Sequence, residues 1–303
     1  AYSGGKDSLV LLDLICTHFP DRKPYVIFGN TGIEFPESLK FARESGKRYV
    51  GERFVEARPA KLEKDGLKYA AQVEVLKWLV ESGCVRDVLK DDGKLKSTDA
   101  LERAATPEMW EDFRRRRLVW RAGTRKTYWW CCDQYGYPIL GKAASKLGAR
   151  RINIDCFLQF SESSSEKPEL LEYYDLLRNV KISQMCCHIL KKEPSEIEQA
   201  RLDVDVIFKG LMAEESHSRM VNFSTRGYIF KSSRPHLGDD PFYHVNPLSI
   251  WTDADIWEYI RSSGIPYSPL YDIEYTTTGK DGKSCKQCIK RNGCIGCATD
   301  IAY

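Results

Sequence analysis

The sequence predicts an α/β fold in which a parallel, twisted, Rossmann-like sheet carries helices on both faces. Three stretches predict it. "SGGKDS" (3–8) is a glycine turn running directly into the apolar stretch "LVLLDLIC"; "YVIF" (25–28) is a short apolar strand; and "VDVIF" (204–208) is a second, ending at Gly210. A short, wholly apolar strand is buried on both faces, and turn, helix and strand in this order open a parallel α/β unit.

The elements follow in chain order. Leu9, Leu12 and Cys16 recur at helical spacing, with Val10, Leu11, Leu14 and Ile15 filling in, so a largely buried helix runs to about Pro20. The first strand closes in the turn "GNTG" at Gly29–Gly32, and a further strand is expected ahead of the loop, upstream of Ala1. Residues 61–130 combine helical periodicity with dense charge, including "FRRRRLVWRAGTRK", which predicts an inserted helical subdomain. "SIWTDADIWEYIRSSG" opens with a capping box, Thr252 and Asp255. It places Ile256, Trp257 and Ile260 on one helical face and stops at Gly264. The tail from Tyr275 is rich in glycine, lysine and cysteine with little apolar periodicity, as expected of a segment organised by a bound metal. The expected division is a main domain of 1–60 and 136–272, a helical insertion of 61–135 and a cysteine-rich metal-binding tail of 273–303; Ser161–Ser165 is the best linker candidate.

Composition bounds the function more loosely. A chain of 303 residues, 42 % hydrophobic, buries a substantial core. Its 46 basic and 43 acidic residues leave a net charge of +3, which neither demands nor excludes a polyanionic partner. No apolar run reaches the roughly 20 residues that cross a bilayer, since Asp13 interrupts the best one. Eight of the eleven cysteines fall in tight pairs: Cys131/Cys132, Cys186/Cys187, Cys285/Cys288 and Cys294/Cys297. Such spacing reads as metal or cluster ligands in a reducing cytoplasm rather than as disulfides.

The chemistry of the opening loop is specific. Adjacent glycines let successive N–H groups converge on an anion, and the following helix adds its positive end. Lys6 can neutralise a phosphate, Ser3 and Ser8 can donate hydrogen bonds, and Asp7 can hold Mg²⁺ or water. The spacing is not that of a Walker A loop, because Gly4 and Gly5 are adjacent and Lys6 follows at once.

This loop resembles the PP-loop of the adenine nucleotide alpha-hydrolase superfamily. "NTGIEFPES" (30–38), "GYPILGK" (136–142), "CCHILKKEP" (186–194), "GLMAEESHSR" (210–219), "NPLSIWTDADIWEYI" (246–260) and "IPYSPLYD" (265–272) form a collinear set similar to the phosphoadenosine phosphosulfate (PAPS) reductase family within it. Asn30, Thr31 and Gly32 then lie where the carboxyl edge of a sheet meets ligand. Lys191 or Lys192, with Glu215, Ser216 and Arg219, can supply charge and hydrogen bonds around phosphates. Glu215 and Arg219 also have the spacing of a surface i,i+4 ion pair, and the two lysines also read as a solvated face.

The resemblance further implies that Cys186, Cys187, Cys294 and Cys297 hold a [4Fe–4S] cluster, as in some sulfonucleotide reductases. A competing set, Cys285, Cys288, Cys294 and Cys297, has the spacing of a zinc site with a short central spacer. Cys131 and Cys132 read as a buried pair beside aromatic packing, and Cys16, Cys84 and Cys156 as core.

Three functions compete. In the favoured one, a PP-loop ATP pyrophosphatase uses ATP and Mg²⁺, with Lys6, Asp7 and Ser8 as the catalytic residues, to adenylate a substrate for sulfur incorporation. Resemblance to the DndC and SspD proteins extends this to DNA phosphorothioation, with DNA and a cysteine desulfurase as partners. The basic, aromatic stretch "FRRRRLVWRAGTRKTYWW" has the composition of a nucleic-acid surface, and equally of a solvated basic helix. The alternative is a reductase of adenosine 5′-phosphosulfate (APS) or PAPS that releases sulfite. Against it stand Met212, where that family's G-x-R-x-x-E-S pattern has arginine, and "GCIGCATDIAY", which lacks the family's ECGLH-like segment with its catalytic cysteine. A tRNA thiolation enzyme or a non-catalytic nucleotide-binding or nucleic-acid-binding module is the third.

Overall fold

The computed structural model describes residues 1–91, 95–136, 138, 183–233, 241–278, 284–290 and 292–295. "GYPILGK", Cys156, Ser161–Ser165 and Cys297 lie wholly or largely outside them. The chain divides into two units, one of Ala1–Pro59 with Leu190–Ile301 and one of Ala60–Ile189.

The first unit opens as the pattern requires. Helix α1 (Lys6–His18) leaves the glycine turn, strand β1 (Val26–Gly29) follows, helix α2 (Pro36–Val50) crosses over, and β2 (Phe54–Ala57) pairs parallel to β1. Pro36 opens α2, where a missing N–H costs nothing. Leu9, Leu12, Val26, Phe28, Ala42 and Val50 form one buried cluster with Tyr2, and burying each large aliphatic side chain contributes about 2 kcal/mol. Asp13, which breaks the apolar run, accepts the hydroxyls of Tyr49 and Tyr259, both at 2.7 Å.

The second unit is mainly helical. Strands β3 (Gly66–Leu67) and β4 (Val119–Trp120) form a short antiparallel ladder around α3 (Tyr69–Glu81), α4 (Thr98–Ala104) and α5 (Pro107–Arg115), followed by α6 (Tyr128–Tyr135). Leu67, Val75, Leu76, Leu79, Leu101 and Phe113 are its core. Cys84, expected in a core, is exposed: it follows Gly83, whose φ of +75° turns the chain out of α3. Cys131 and Cys132 are buried in α6.

Back in the first unit, α7 (Glu193–Arg201) packs on β1 and β2. Then β5 (Val206–Phe208), α8 (His217–Arg226), β6 (Ile229–Ser232) and β7 (Phe242–Val245) follow. β5 runs parallel to β7, but β6 is antiparallel to it. The expected all-parallel sheet is therefore mixed. The link from Ser232 to Phe242 is shorter than the dozen or so residues that a parallel crossover needs. Ala1 and Tyr2 join β1 to β5, Tyr2 N–H donating to Ile27 O at 2.9 Å and the Ala1 amine to Phe208 O at 2.8 Å.

Helix α9 (Asp253–Ser263) has the predicted capping box, with Thr252 Oγ1 accepting from Asp255 N and Asp255 Oδ2 accepting from Thr252 N, and it ends at Gly264 with φ +63°. Ile256 and Ile260 pack on Val10 and Leu11 of α1. The described tail is ordered by backbone pairing: β8 (Glu274–Thr278) and β9 (Ser284–Cys288) form an antiparallel hairpin. "EYTTT" is rich in strand formers, a signal that outweighs the missing apolar periodicity. No helix among the described residues is long and apolar enough to cross a membrane.

Candidate functional site

The loop Ser3–Ser8 sits where the chain leaves Tyr2 and enters α1. Gly4 has φ +73°, and a β-carbon on it would lie 2.7 Å from Ala42 Cβ, so only glycine lets α2 come this close. A β-carbon on Gly210 would meet Asp7 O at 2.8 Å, which brings the end of β5 against the first turn of α1. The two predicted serines are joined, Ser3 Oγ to Ser8 Oγ at 3.0 Å, and Ser8 Oγ donates to Gly5 O at 2.9 Å.

Lys6 is the electrostatic centre. Its side chain is 6 % exposed, and its Nζ contacts Asp7 Oδ1 at 2.7 Å and Asp253 Oδ1 at 2.6 Å. Burial works to lower the pKa of this amine, but the two carboxylates outweigh it and hold the amine above the ordinary lysine value. The Lys6 N–H donates to Tyr271 Oη at 3.1 Å, and Asn292 Nδ2 donates to Gly4 O at 3.2 Å. Asp253, Tyr271 and Asn292 carried no expected role. Their contacts span most of the chain, so only the "IPYSPLYD" resemblance could have pointed to Tyr271.

The turn after β1 is built on two carboxylates. Glu34 accepts from Thr31 N at 2.9 Å, Thr31 Oγ1 at 2.7 Å and Gly32 N at 3.1 Å. Asn30 Oδ1 accepts from Gly32 N, while Asn30 Nδ2 donates to Glu56. Burial pushes Glu56 up, but hydrogen bonds from Arg43 and Asn30 and the charges of Arg43 and Arg58 outweigh it, taking the carboxyl from 4.5 to about 2. A carboxyl depressed on folding stabilises the protein above its unfolded pKa and loses that contribution as pH falls from 4.5 through about 2. Glu56→Gln is expected to lower stability by about 2 kcal/mol at pH 7, with screening at the guanidinium ends allowed for. That difference should shrink steadily in urea melts as the pH is lowered below 4.5 towards 2.

The remaining predicted residues divide. Lys191, in a π-helical turn at His188–Lys192, lies against Gly29 at the carboxyl end of β1. Glu215 and Arg219 form their i,i+4 ion pair, Glu215 also accepts from Met212 N, and Ser216 caps α8.

Both predicted cysteine sets include Cys297, which lies outside the described residues. A cluster needs four thiolates converging on one centre. Cys285 and Cys288, three apart on extended β9, project from opposite faces. Among the described residues no group of three or more His, Cys, Asp or Glu is placed to hold a metal ion. Cys294 packs on the turn after β1: its Sγ is 3.4 Å from Thr31 Oγ1, it bridges to Glu34, and Ile295 N–H donates to Ile33 O at 2.7 Å. The Cys131 thiol is pushed up to about 12 by burial and by its neighbours Cys186 and Cys132, which marks it as unreactive.

Three arginines of the predicted basic stretch are paired with carboxylates. Arg114 pairs with Asp65 and Glu111, Arg115 with Asp112, and Arg116 with Glu74 and Asp112.

A Ser-Gly-Gly-Lys-Asp-Ser loop leading into the first helix of a mixed α/β unit is the arrangement of a PP-loop protein. The chain belongs to the PAPS reductase family of that superfamily: the model described as "Phosphoadenosine phosphosulfate reductase domain" matches residues 1–101 and 142–287. Among curated relatives, the adenosine 5′-phosphosulfate reductase of Burkholderia cepacia is 30 % identical over 37 % of this chain and 38 % of its own length. That of Lysinibacillus sphaericus is 33 % identical over 35 % and 38 %. The phosphoadenosine 5′-phosphosulfate reductase of Xylella fastidiosa is 33 % identical over 29 % and 33 %. The chain thus spans well under half the length of each. A solved PAPS reductase of Candida auris, in a phosphate complex, aligns with a TM-score of 0.37 at 15 % identity, covering 89 % of this chain and 76 % of that one.

Proposed function

We propose that this chain acts on an adenine sulfonucleotide, APS or PAPS, held with its phosphate over Ser3–Ser8 and its sulfonate towards Asn30–Gly32, and releases sulfite. One observation carries the reading: the segment 292–295 touches both halves of the site, Asn292 on Gly4 and Cys294 on Thr31, so a thiol lies beside the turn that flanks the anion loop. In this reaction a thiolate attacks the sulfur, the nucleotide leaves with the bridging oxygen, and a second thiol from a dithiol reductant releases sulfite as the disulfide forms. Family membership and the names of the relatives support the nucleotide class.

A second reading keeps ATP as substrate, cleaved between its α and β phosphates for sulfur transfer. The two carboxylates on Lys6 favour it, because they suit a Mg²⁺-bound polyphosphate better than a bare anion. Its DNA acceptor rested on Arg114–Arg117, and carboxylates already occupy three of those arginines. Neither DNA nor a cysteine desulfurase is carried forward.

The test is anaerobic incubation with a dithiol and, separately, APS, PAPS and Mg²⁺–ATP, scoring sulfite and pyrophosphate. Sulfite from APS or PAPS supports the reductase reading; pyrophosphate from ATP without sulfite replaces it with the second. Cys294→Ser should bind nucleotide within about threefold of wild type, a difference under 1 kcal/mol, while sulfite release disappears. Sulfite at the wild-type rate would remove Cys294 from the reaction. Iron and zinc analysis of the same preparation decides whether Cys186, Cys187, Cys294 and Cys297 hold a metal.

A further inference from the structure

The ammonium of Lys6 carries one positive charge and touches two carboxylates, so the contact group bears a net negative charge at the mouth of an anion loop. An incoming phosphate or sulfate oxygen needs that ammonium, and one carboxylate has to yield. The two differ in how easily they can. Asp7 follows Lys6 directly on α1 and its side chain is 23 % exposed, whereas Asp253 comes from the first turn of α9 and is 58 % exposed. The backbone around Asp253 is fixed independently of the ion pair, since its N–H donates to Glu214 Oε2 at 2.6 Å and the Thr252–Asp255 capping box holds the turn. Its carboxylate can therefore rotate into water without disturbing α9.

We propose that Asp253 is an intramolecular competitor for the nucleotide anion, holding Lys6 in place in the loop and giving way when phosphate or sulfate arrives. It sets affinity by occupying the residue the ligand needs. The proposal rests on the reading that Ser3–Ser8 binds the nucleotide phosphate, and deepens it by naming what the ligand displaces. A partly exposed ion pair is worth up to about 1 kcal/mol, so relieving the competition should tighten binding by up to roughly fivefold.

The test is a double-mutant cycle by calorimetry with APS, PAPS, ATP and inorganic pyrophosphate as probes, on wild type, Asp253→Asn, Lys6→Ala and the double variant. Asn keeps the shape of the side chain, and Asp253→Ser serves as a second variant should Asn alter the melting temperature. The expected result is tighter binding in Asp253→Asn, with the gain absent when Lys6 is alanine. Equal or weaker binding in Asp253→Asn and Asp253→Ser overturns the proposal, as does a gain that persists without Lys6. Sulfite release with no gain leaves the functional reading standing and this inference fallen. A Lys6-dependent gain for pyrophosphate, with no adenine nucleotide bound, leaves the inference standing and the reading fallen. No anion bound by any variant overturns both.

Discussion

Lys6→Ala is expected to weaken nucleotide binding by roughly 30- to 150-fold, the equivalent of the 2–3 kcal/mol carried by a hydrogen bond to a charged group. Two effects act in the same direction. The variant removes the ammonium, and it leaves the Asp7 and Asp253 carboxylates facing an incoming anion without their shared counterion. The fold should survive, because α1 is anchored by Leu9, Val10, Leu11 and Leu12 rather than by Lys6. Unchanged melting with lost affinity is the expected pair of observations; unchanged affinity would place the nucleotide elsewhere.

Gly4→Ala should show the largest loss of stability. At φ +73° an L side chain is strained by about 1–2 kcal/mol, and a β-carbon 2.7 Å from Ala42 Cβ forces α2 away at a further cost of about 1–3 kcal/mol. Gly32 provides the control. It has φ +84° but open space around a β-carbon, so Gly32→Ala meets the strain without the overlap. Denaturant melts should therefore rank Gly4→Ala well below Gly32→Ala. Equal losses would mean that α2 adjusts freely and that the loop is not clamped between α1 and α2.

What the sequence shows of this molecule is its local grammar. "SGGKDS" before an apolar run is a turn and a helix start, and the Thr252–Asp255 box fixes the first residue of α9, because both signals are read within one turn of chain. The ion pairs of the basic run were partly legible too: Glu111 and Asp112 precede Arg114, Arg115 and Arg116 at i,i+3 and i,i+4 spacings. Arg116 to Glu74 and Arg114 to Asp65 were not, since only packing within the second unit brings them together.

The site's organisation was hidden for the same reason. Asp253, Tyr271 and Asn292 reach the loop from segments far along the chain, and although Asp253 and Tyr271 lie in family-like motifs, no local pattern names their partner. For the cysteines, spacing alone does not set the geometry. C-x2-C chelates when the intervening residues turn, and Cys285–Cys288 lies in a paired strand, where an odd separation sends the two thiols to opposite faces. The contact of Cys294 with Thr31 is not legible in the sequence, because it depends on the bridge between Glu34 and Cys294.

In the proposed function an adenine nucleotide sits on Ser3–Ser8 with Lys6 as its counterion. Calorimetric titration of APS into wild type and Lys6→Ala at one ionic strength tests it most directly. Saturable one-to-one binding to wild type is expected, with a loss of roughly 30-fold or more in the variant. Equal binding by both proteins, or no binding of APS, PAPS or Mg²⁺–ATP to wild type, would contradict it.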